Sequence, residues 1–221
     1  MFDFFKKRIN NNDIKINESK LFKKYGPCNT LNNKIKLLII ADTHGLLSVK
    51  EDLKEKLKII HNYDLCCILG DVTYSDYEII LNYINKDKIV AILGNHDGFD
   101  VLKYYGIKDL NGRIIDIKGV RIGGIQGSYR YKTEDFPSFT HEESIRFLNK
   151  MEGVDILLSH AGPFLDNNTD LVHNGLKGIT EYLYKNKVPY NIHGHNHANK
   201  DLYLRNGTKI IERYLIDEII I

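Results

Sequence analysis

Ile89-Val90-Ala91-Ile92-Leu93-Gly94-Asn95-His96-Asp97 decides how this chain reads. A short β-branched run ending at glycine predicts a buried strand that stops in a tight turn. The turn presents an amide oxygen, an imidazole and a carboxylate side by side. The same hand-over, from apolar run to polar donors, recurs upstream at Asp42-Thr43-His44 and Gly70-Asp71. Downstream it recurs at Ser159-His160 and Gly194-His195-Asn196-His197. Ligands of open α/β sheets sit beyond the carboxyl ends of the strands, so five such ends converging would build a metal site.

Working outward, apolar runs at 35–41, 65–69 and 89–93 predict three buried strands separated by helices. The first helix, 48–60, carries Leu53, Leu57 and Ile60 at helical spacing, with Ser48 and Glu51 as a capping box. Ser75 is expected to cap the second, which carries Ile79, Ile80, Leu81 and Ile84. Strand–helix–strand–helix–strand predicts a right-handed parallel unit. After Asp97 the pattern turns to hairpins: 113–117 with 120–125 about Lys118-Gly119, and 201–221 about Asn206-Gly207. Between them lie a polar loop at 128–139, a helix opened by Thr140 and Glu143, a strand at 154–158, a helix at 176–184 and a strand at 190–192. Crossovers in the first half and hairpins in the second predict two packed sheets flanked by helices. Residues 1–33 read as a lead-in docked on a domain spanning 34–221. Its Phe2, Phe5 and Ile9, at roughly helical spacing beside Lys6, Lys7 and Arg8, leave a membrane-surface or partner-binding helix as the alternative.

A chain of 221 residues with 43% apolar and 27% charged residues fits one globular domain. Its net charge of +2 carries no strong nucleic-acid signal. No apolar run approaches the ~18 residues of a membrane span, and Met1-Phe2-Asp3-Phe4-Phe5 lacks the sustained apolar segment of a secretory signal. Cys28, Cys66 and Cys67 form neither a disulfide framework nor a C-x-x-C motif, and adjacent Cys66 and Cys67 should point to opposite faces of a strand. The expected location is cytoplasmic.

Asp42, His44, Asp71, Asn95, His160, His195 and His197 supply two carboxylates, one amide oxygen and four imidazoles. Mixed nitrogen and oxygen donors without thiolate suit manganese first, with iron, zinc, cobalt or nickel as alternatives. Seven side chains exceed one tetrahedral ion but suit two divalent ions sharing a bridge. Two such ions bring about +4 against about −2 from the carboxylates. The residual positive charge calls for an anion, and hydroxide with a phosphate group would serve. Singly these residues have bland readings: Asp42 or Asp71 as a helix N-cap, His160 as a buried hydrogen-bonded ring. Jointly, seven coincidences at strand ends would be needed. For His61, His141 and His173 the bland reading stands, and His193 is either an outer partner of a ligand or a packing residue.

In this order, D-x-H, G-D, G-N-H-D, an isolated His and G-H-x-H, the set resembles the calcineurin-like metallophosphoesterases over about residues 34–211. The resemblance implies an α/β fold, a four-layer double β-sandwich flanked by α-helices. It implies Asp42, His44 and His197 on one metal, Asn95, His160 and His195 on the other, and Asp71 bridging. Asn95 and His96 would touch the substrate. His96 would protonate the leaving oxygen, with Asp97 supporting its ring, while a hydroxide held between the metals attacks phosphorus. The arginines of the phosphoprotein phosphatase branch are missing from Gly70-Asp71-Val72-Thr73-Tyr74-Ser75-Asp76 and from the Gly94 motif. His160-Ala161-Gly162-Pro163, Asp170 and His173-Asn174-Gly175 resemble a small phosphodiesterase branch, so a phosphodiester is the expected substrate, with a nucleotide among the options. Alternatives are a phosphomonoesterase on the same site, a nuclease, or a non-catalytic scaffold of the same fold. The loop Ser128-Tyr129-Arg130-Tyr131-Lys132 offers a guanidinium and two rings for substrate contact.

Overall fold

The computed structural model describes residues 16–165 and 173–221. Strands β1 (Lys36–Ala41), β2 (Leu65–Ile68) and β3 (Ile89–Ala91) are parallel neighbours. Beyond Lys36 at the open end of β1, each is apolar throughout because both faces are covered. Leu37, Ile39, Ala41, Leu65, Cys67 and Val90 turn one way, into a core shared with the second sheet. Leu38, Ile40, Cys66, Ile68 and Ala91 turn the other way, onto Leu53 and Leu57 of α2 (Leu47–Ile59) and Tyr77 and Ile80 of α3 (Tyr74–Tyr83). Adjacent Cys66 and Cys67 thus belong to different cores, and burial pushes both thiols upward in pKa.

After the short α4 (Val101–Tyr105), β4 (Lys108–Asp109) closes one edge of this sheet beside β3. The chain then crosses to a six-stranded sheet made of β5 (Ile114–Ile117), β6 (Val120–Ile125), β9 (Ile156–Ser159), β10 (Tyr190–His193), β11 (Lys200–Tyr203) and β12 (Lys209–Glu212). Ile122, Ile156, Leu158, Ile192 and Ile211 meet the first sheet. Ile125, Leu157 and Ile210 pack outward with Leu148 of α5 (His141–Leu148) and Ile179 and Leu183 of α6 (Lys177–Lys185). The order helix, sheet, sheet, helix is the four-layer sandwich.

Several local expectations need correction. The second sheet is hairpin-built only at its edges, β5 with β6 and β11 with β12, while β6, β9, β10 and β12 run parallel. Helices α5 and α6 supply the β6-to-β9 and β9-to-β10 crossovers, repeating the logic of the first half, while β10 reaches β12 by way of β11. The last strand, β13 (Leu215–Ile220), leaves that sheet and pairs antiparallel with β1. Leu46 rather than Ser48 stands at the N-cap of α2 and makes no side-chain cap bond, while Glu51 pairs with Lys54. Thr73 rather than Ser75 opens α3, with Asp76 completing its capping box. Thr140 and Glu143 do cap α5 reciprocally. The polar loop at 128–139 is pinned at its base by two short parallel strands, β7 (Ser128–Tyr129) and β8 (Ser138–Phe139).

Ahead of the sandwich, α1 (Glu18–Tyr25) lays Leu21, Phe22 and Tyr25 against the core around α6. Cys28 and Asn29 then donate backbone hydrogen bonds to Asn206 and Lys187. The spacing of Phe2, Phe5 and Ile9, and Asp170, fall outside the described residues.

Candidate metal centre

The loops leaving β1, β2, β3, β6, β9 and β10 are laced together by their backbones. Asp42 and His44 donate to the carbonyls of Gly70 and Asp71, at 3.0 Å each. Gly127 donates to Leu93, Ala161 to Gly127, and Gly194 to His160. The His195 amide closes the circle by donating to Asp42 Oδ2 at 2.9 Å. Two glycines make this possible. A Cβ on Gly94 would collide with the Asp71 carboxylate, and one on Gly194 would lie 2.5 Å from Asp42 Oδ2. The glycines of G-N-H-D and G-H-N-H are therefore seats for another loop's carboxylate.

Within this ring, Asp42, His44 and His197 bring ligand atoms within 4.8 Å of one another, as do Asp71, His160 and His195. The groups differ in depth. His160 is fully buried and His195 nearly so, whereas the His44 and His197 side chains are 24% and 48% exposed. Asp71 joins the two groups: its Oδ2 is 3.7 Å from His44 Nε2 and 3.5 Å from His160 Nε2. Its other oxygen accepts the His96 amide at 2.8 Å. Asn95 Oδ1 lies 2.9 Å from His160 Nε2, which places the amide with the buried group.

The donor set fits cations. His160 Nδ1 contacts the Leu69 carbonyl at 2.8 Å, which makes it the protonated nitrogen and directs the Nε2 lone pair into the site. His44 Nε2 and His197 Nε2 face each other at 3.0 Å. Asp42 Oδ1 is buried with no hydrogen-bond partner, 3.9 Å from His197 Nε2. A buried carboxylate oxygen left alone is costly, and a cation at that point satisfies it together with both rings. The crowding registers in the proton affinities. Burial, reinforced by the charge of Asp71, pushes Asp42 up to about 7. Burial and its imidazole neighbours hold His44 and His197 below the usual range. For His160 burial is outweighed by Asp71 and Asp42, and the ring titrates high. The field that would hold a proton there is the field that would hold a metal.

Five of these seven residues, Asp42, His44, Asp71, His195 and His197, have positive φ between 51° and 77°. Left-handed backbone at non-glycine residues costs on the order of 1–3 kcal/mol each and persists where surroundings over-determine it. Here the lacing of the loops and one further carboxylate do so. Asp76, fully buried at the start of α3, accepts from Thr43 Oγ1 at 2.7 Å, from the Gly45 amide at 2.9 Å and from Thr73 Oγ1 at 2.8 Å. It thereby fastens the Asp42–His44 turn to the Asp71 loop. Neither this use of Asp76 nor its place in the Thr73 capping box was singled out by the sequence, where Ser75 offers a rival cap.

His96 is exposed, its ring centroid 5.4 Å from that of His44. Asp97 is not placed to support that ring. Its Oδ2 accepts from the Gly94 and Asp71 amides and its Oδ1 from Val72, at 2.7–2.9 Å, so it clamps two loops together. Burial and the charge of Asp71 raise it to about 6. Arg130, offered by the sequence for substrate contact, pairs at the surface with Glu143 and Ser138. Tyr131, from the same loop, does approach the site, its hydroxyl 3.4 Å from Asn95 Nδ2. Tyr214 stacks on His197 with centroids 5.0 Å apart, brought there by the turn into β13. His173 packs its ring 5.3 Å from that of His195. Buried His193 turns Nδ1 to the Gly194 carbonyl, and burial lowers it to about 4. His141 also packs as a buried ring, against Tyr129 and Phe164.

Among solved structures, the chain resembles phosphopantetheinyl hydrolase from Mycobacterium tuberculosis at 11% identity and a TM-score of 0.58, over 84% of this chain and 91% of that one. It resembles a putative 5'-nucleotidase from Staphylococcus aureus at 13% identity and a TM-score of 0.56, over 85% of this chain and 51% of that one. The protein TT1561 of Thermus thermophilus aligns at 12% identity and a TM-score of 0.53, over 82% of this chain and 90% of that one. At these identities the likeness establishes the fold. Comparison with curated protein sequences returns no match. The sequence pattern of calcineurin-like phosphoesterases matches residues 35–199, the span that carries both ligand groups. With its four-layer fold and two candidate metal-binding groups at the carboxyl ends of its strands, the chain belongs to the calcineurin-like phosphoesterase family, a family of dinuclear metal enzymes.

Proposed function

We propose that this protein hydrolyses phosphodiester bonds at a pair of divalent cations. The observation that carries the reading is Asp71, whose Oδ2 stands within 3.7 Å of an imidazole nitrogen of each ligand group. Asp42, His44 and His197 would hold one ion, Asn95, His160 and His195 the other, and Asp71 both. When bound, such a pair neutralises charge on the phosphate oxygens and acidifies water into a nucleophile, manganese being the first ion to try.

The remaining work falls to side chains. Asn95 and His96 would orient the phosphate group. His96, exposed and with its ring beside that of His44, would deliver the proton from its imidazole N–H to the leaving oxygen. The His96 amide bonded to Asp71 Oδ1 registers the acid against the bridge. Asp97 contributes by fixing the turn through the Gly94, Asp71 and Val72 amides. The diester preference rests on arginine: neither loop motif contains one, and Arg130 is engaged by Glu143. A dianionic monoester gains more from a guanidinium fork than a monoanionic diester does.

The test is Asp71→Asn, assayed for metal content and for turnover of bis-p-nitrophenyl phosphate and p-nitrophenyl phosphate. Native protein with Mn²⁺ is expected to favour the diester in kcat/KM and to lose activity on chelation. Asp71→Asn is expected to lose at least one ion and nearly all turnover. Two retained ions with native turnover would sink the bridging assignment, and a monoester preference would move the protein to the phosphomonoesterase reading.

A further inference from the structure

We propose that Tyr74, Phe99 and Tyr104 form a seat for a flat aromatic ring on the leaving-group side of the substrate, an inference that rests on the hydrolytic reading above. Tyr74 is 40% exposed, Phe99 55% and Tyr104 71%. They are three of the nine most exposed large hydrophobic side chains among the described residues. Two more, Leu46 and Leu47, follow the Asp42–His44 turn after Gly45. Apolar surface is thus concentrated where the ligand-bearing loops of the first sheet meet solvent, and patches of this kind mark binding sites.

The rim is built rather than incidental. Tyr74 follows Asp71 by three residues and Phe99 follows His96 by three. The Tyr74 hydroxyl donates to Asp100 Oδ1 at 2.7 Å, and a Cβ on Gly98 would lie 3.7 Å from that hydroxyl. Both chain neighbours of Phe99 therefore border Tyr74. Tyr104 meets Tyr74 edge-on at 5.6 Å between centroids and Tyr105 at 4.8 Å. Tyr105 in turn stacks on fully buried Tyr77 at 5.5 Å and donates its hydroxyl to the Tyr74 carbonyl at 2.9 Å. The Tyr74 and Tyr104 rings are held in fixed attitudes by a chain of aromatics running into the core, so binding there would order little that is loose. His96, the proposed acid, lies on the same loop as Phe99. A group whose oxygen is protonated by His96 passes this rim on its way out. Rings accept rings by offset or edge-to-face contact, and a nucleobase or aryl group offers the face that an alkyl chain lacks.

The test uses metal-loaded protein and two probe pairs. Calorimetry compares the non-hydrolysable 2-naphthylmethylphosphonate with benzylphosphonate. Kinetics compare methyl 2-naphthyl phosphate with methyl phenyl phosphate, whose leaving phenols are of similar acidity. Native protein is expected to favour the larger ring by about tenfold in affinity and KM, with kcat little different. Phe99→Ala, Tyr104→Ala and Phe99→Leu should each shrink that preference while metal content and melting temperature hold. Equal affinities in native protein, or a preference surviving all three substitutions, would overturn the proposal. So would a native dimer that Phe99→Ala/Tyr104→Ala converts to monomer, because the rim would then belong to a second copy. Ring-dependent binding without turnover of any ester would leave the seat standing and remove the hydrolytic reading. Turnover without ring preference would do the reverse.

Discussion

His96 and Asp97 leave one turn with opposite fates, the imidazole to solvent and the carboxylate onto three backbone amides. For His96→Ala the expected loss depends on the leaving group. General acid catalysis contributes about 10²–10⁴-fold, and an alkoxide or ribose oxygen needs it where p-nitrophenolate does not. The kcat on a nucleotide or alkyl ester should fall by about that much and on a p-nitrophenyl ester far less, with metal content unchanged. Equal losses on both would make His96 a phosphate binder. All seven proposed ligands were legible in the sequence because each donor type follows an apolar run. The partners of Asp97 were not, because a backbone amide leaves no mark in the sequence and only folding decides which amides face a carboxylate. Tyr131 was within reach of the sequence as one ring of the 128–132 loop, but Tyr214 was not, because a long-range ring contact has no local spacing to betray it.

At the scale of elements, the two capping boxes make a controlled comparison. Thr140 and Glu143 only start α5, so Thr140→Ala is expected to cost about 1 kcal/mol and leave the site alone. Asp76 starts α3 and also holds Thr43 and Gly45, between and beside two left-handed ligands. Asp76→Asn should therefore weaken the more exposed ion by tenfold or more, read by calorimetric titration, with the buried ion less affected. Equal weakening of both ions would mean that Asp76 serves general stability. The Thr140 box was readable because Glu143 stands three residues on, whereas Ser138 has only His141 at that spacing. Thr73 and Ser75 are both capping types two residues apart, and local spacing cannot choose between them. The parallel character of the second sheet was hidden for another reason. Its two hairpins, at Lys118-Gly119 and Asn206-Gly207, carry strong turn signals, while the crossovers through α5 and α6 carry none that names their destination.

For the molecule as a whole, acid is the informative stress. His141 is buried against Tyr129 and Phe164, and burial followed by the charge of Lys177 lowers it to about 4. The unfolded chain then takes up this proton near pH 6.5 while the folded one refuses it until about 4. Between those values the unfolded state binds more protons, so stability falls as the pH falls, by up to about 3 kcal/mol over the window. His193 titrates in the same window, so His141→Gln in metal-free protein should make the melting-temperature profile between pH 6.5 and 4 shallower rather than flat; an unchanged slope would show that His141 contributes nothing to it. The four-layer plan itself was legible, since strands buried on both faces read as unbroken apolar runs. The return of β13 to β1 was not, because an edge strand can serve either sheet on pattern alone.

The left-handed backbone at Asp42, His44, Asp71, His195 and His197 has a consequence for heredity. Glycine adopts that geometry without strain, so at each of these positions the substitution that abolishes a ligand also relaxes the chain. The trade is not equal at all five. Asp42→Gly or Asp71→Gly would also give up the carboxylate that accepts the His195 or the His96 amide, whereas His44→Gly or His197→Gly would give up only ring contacts. A lineage screened only for persistence of the fold would therefore lose these two rings before the two carboxylates.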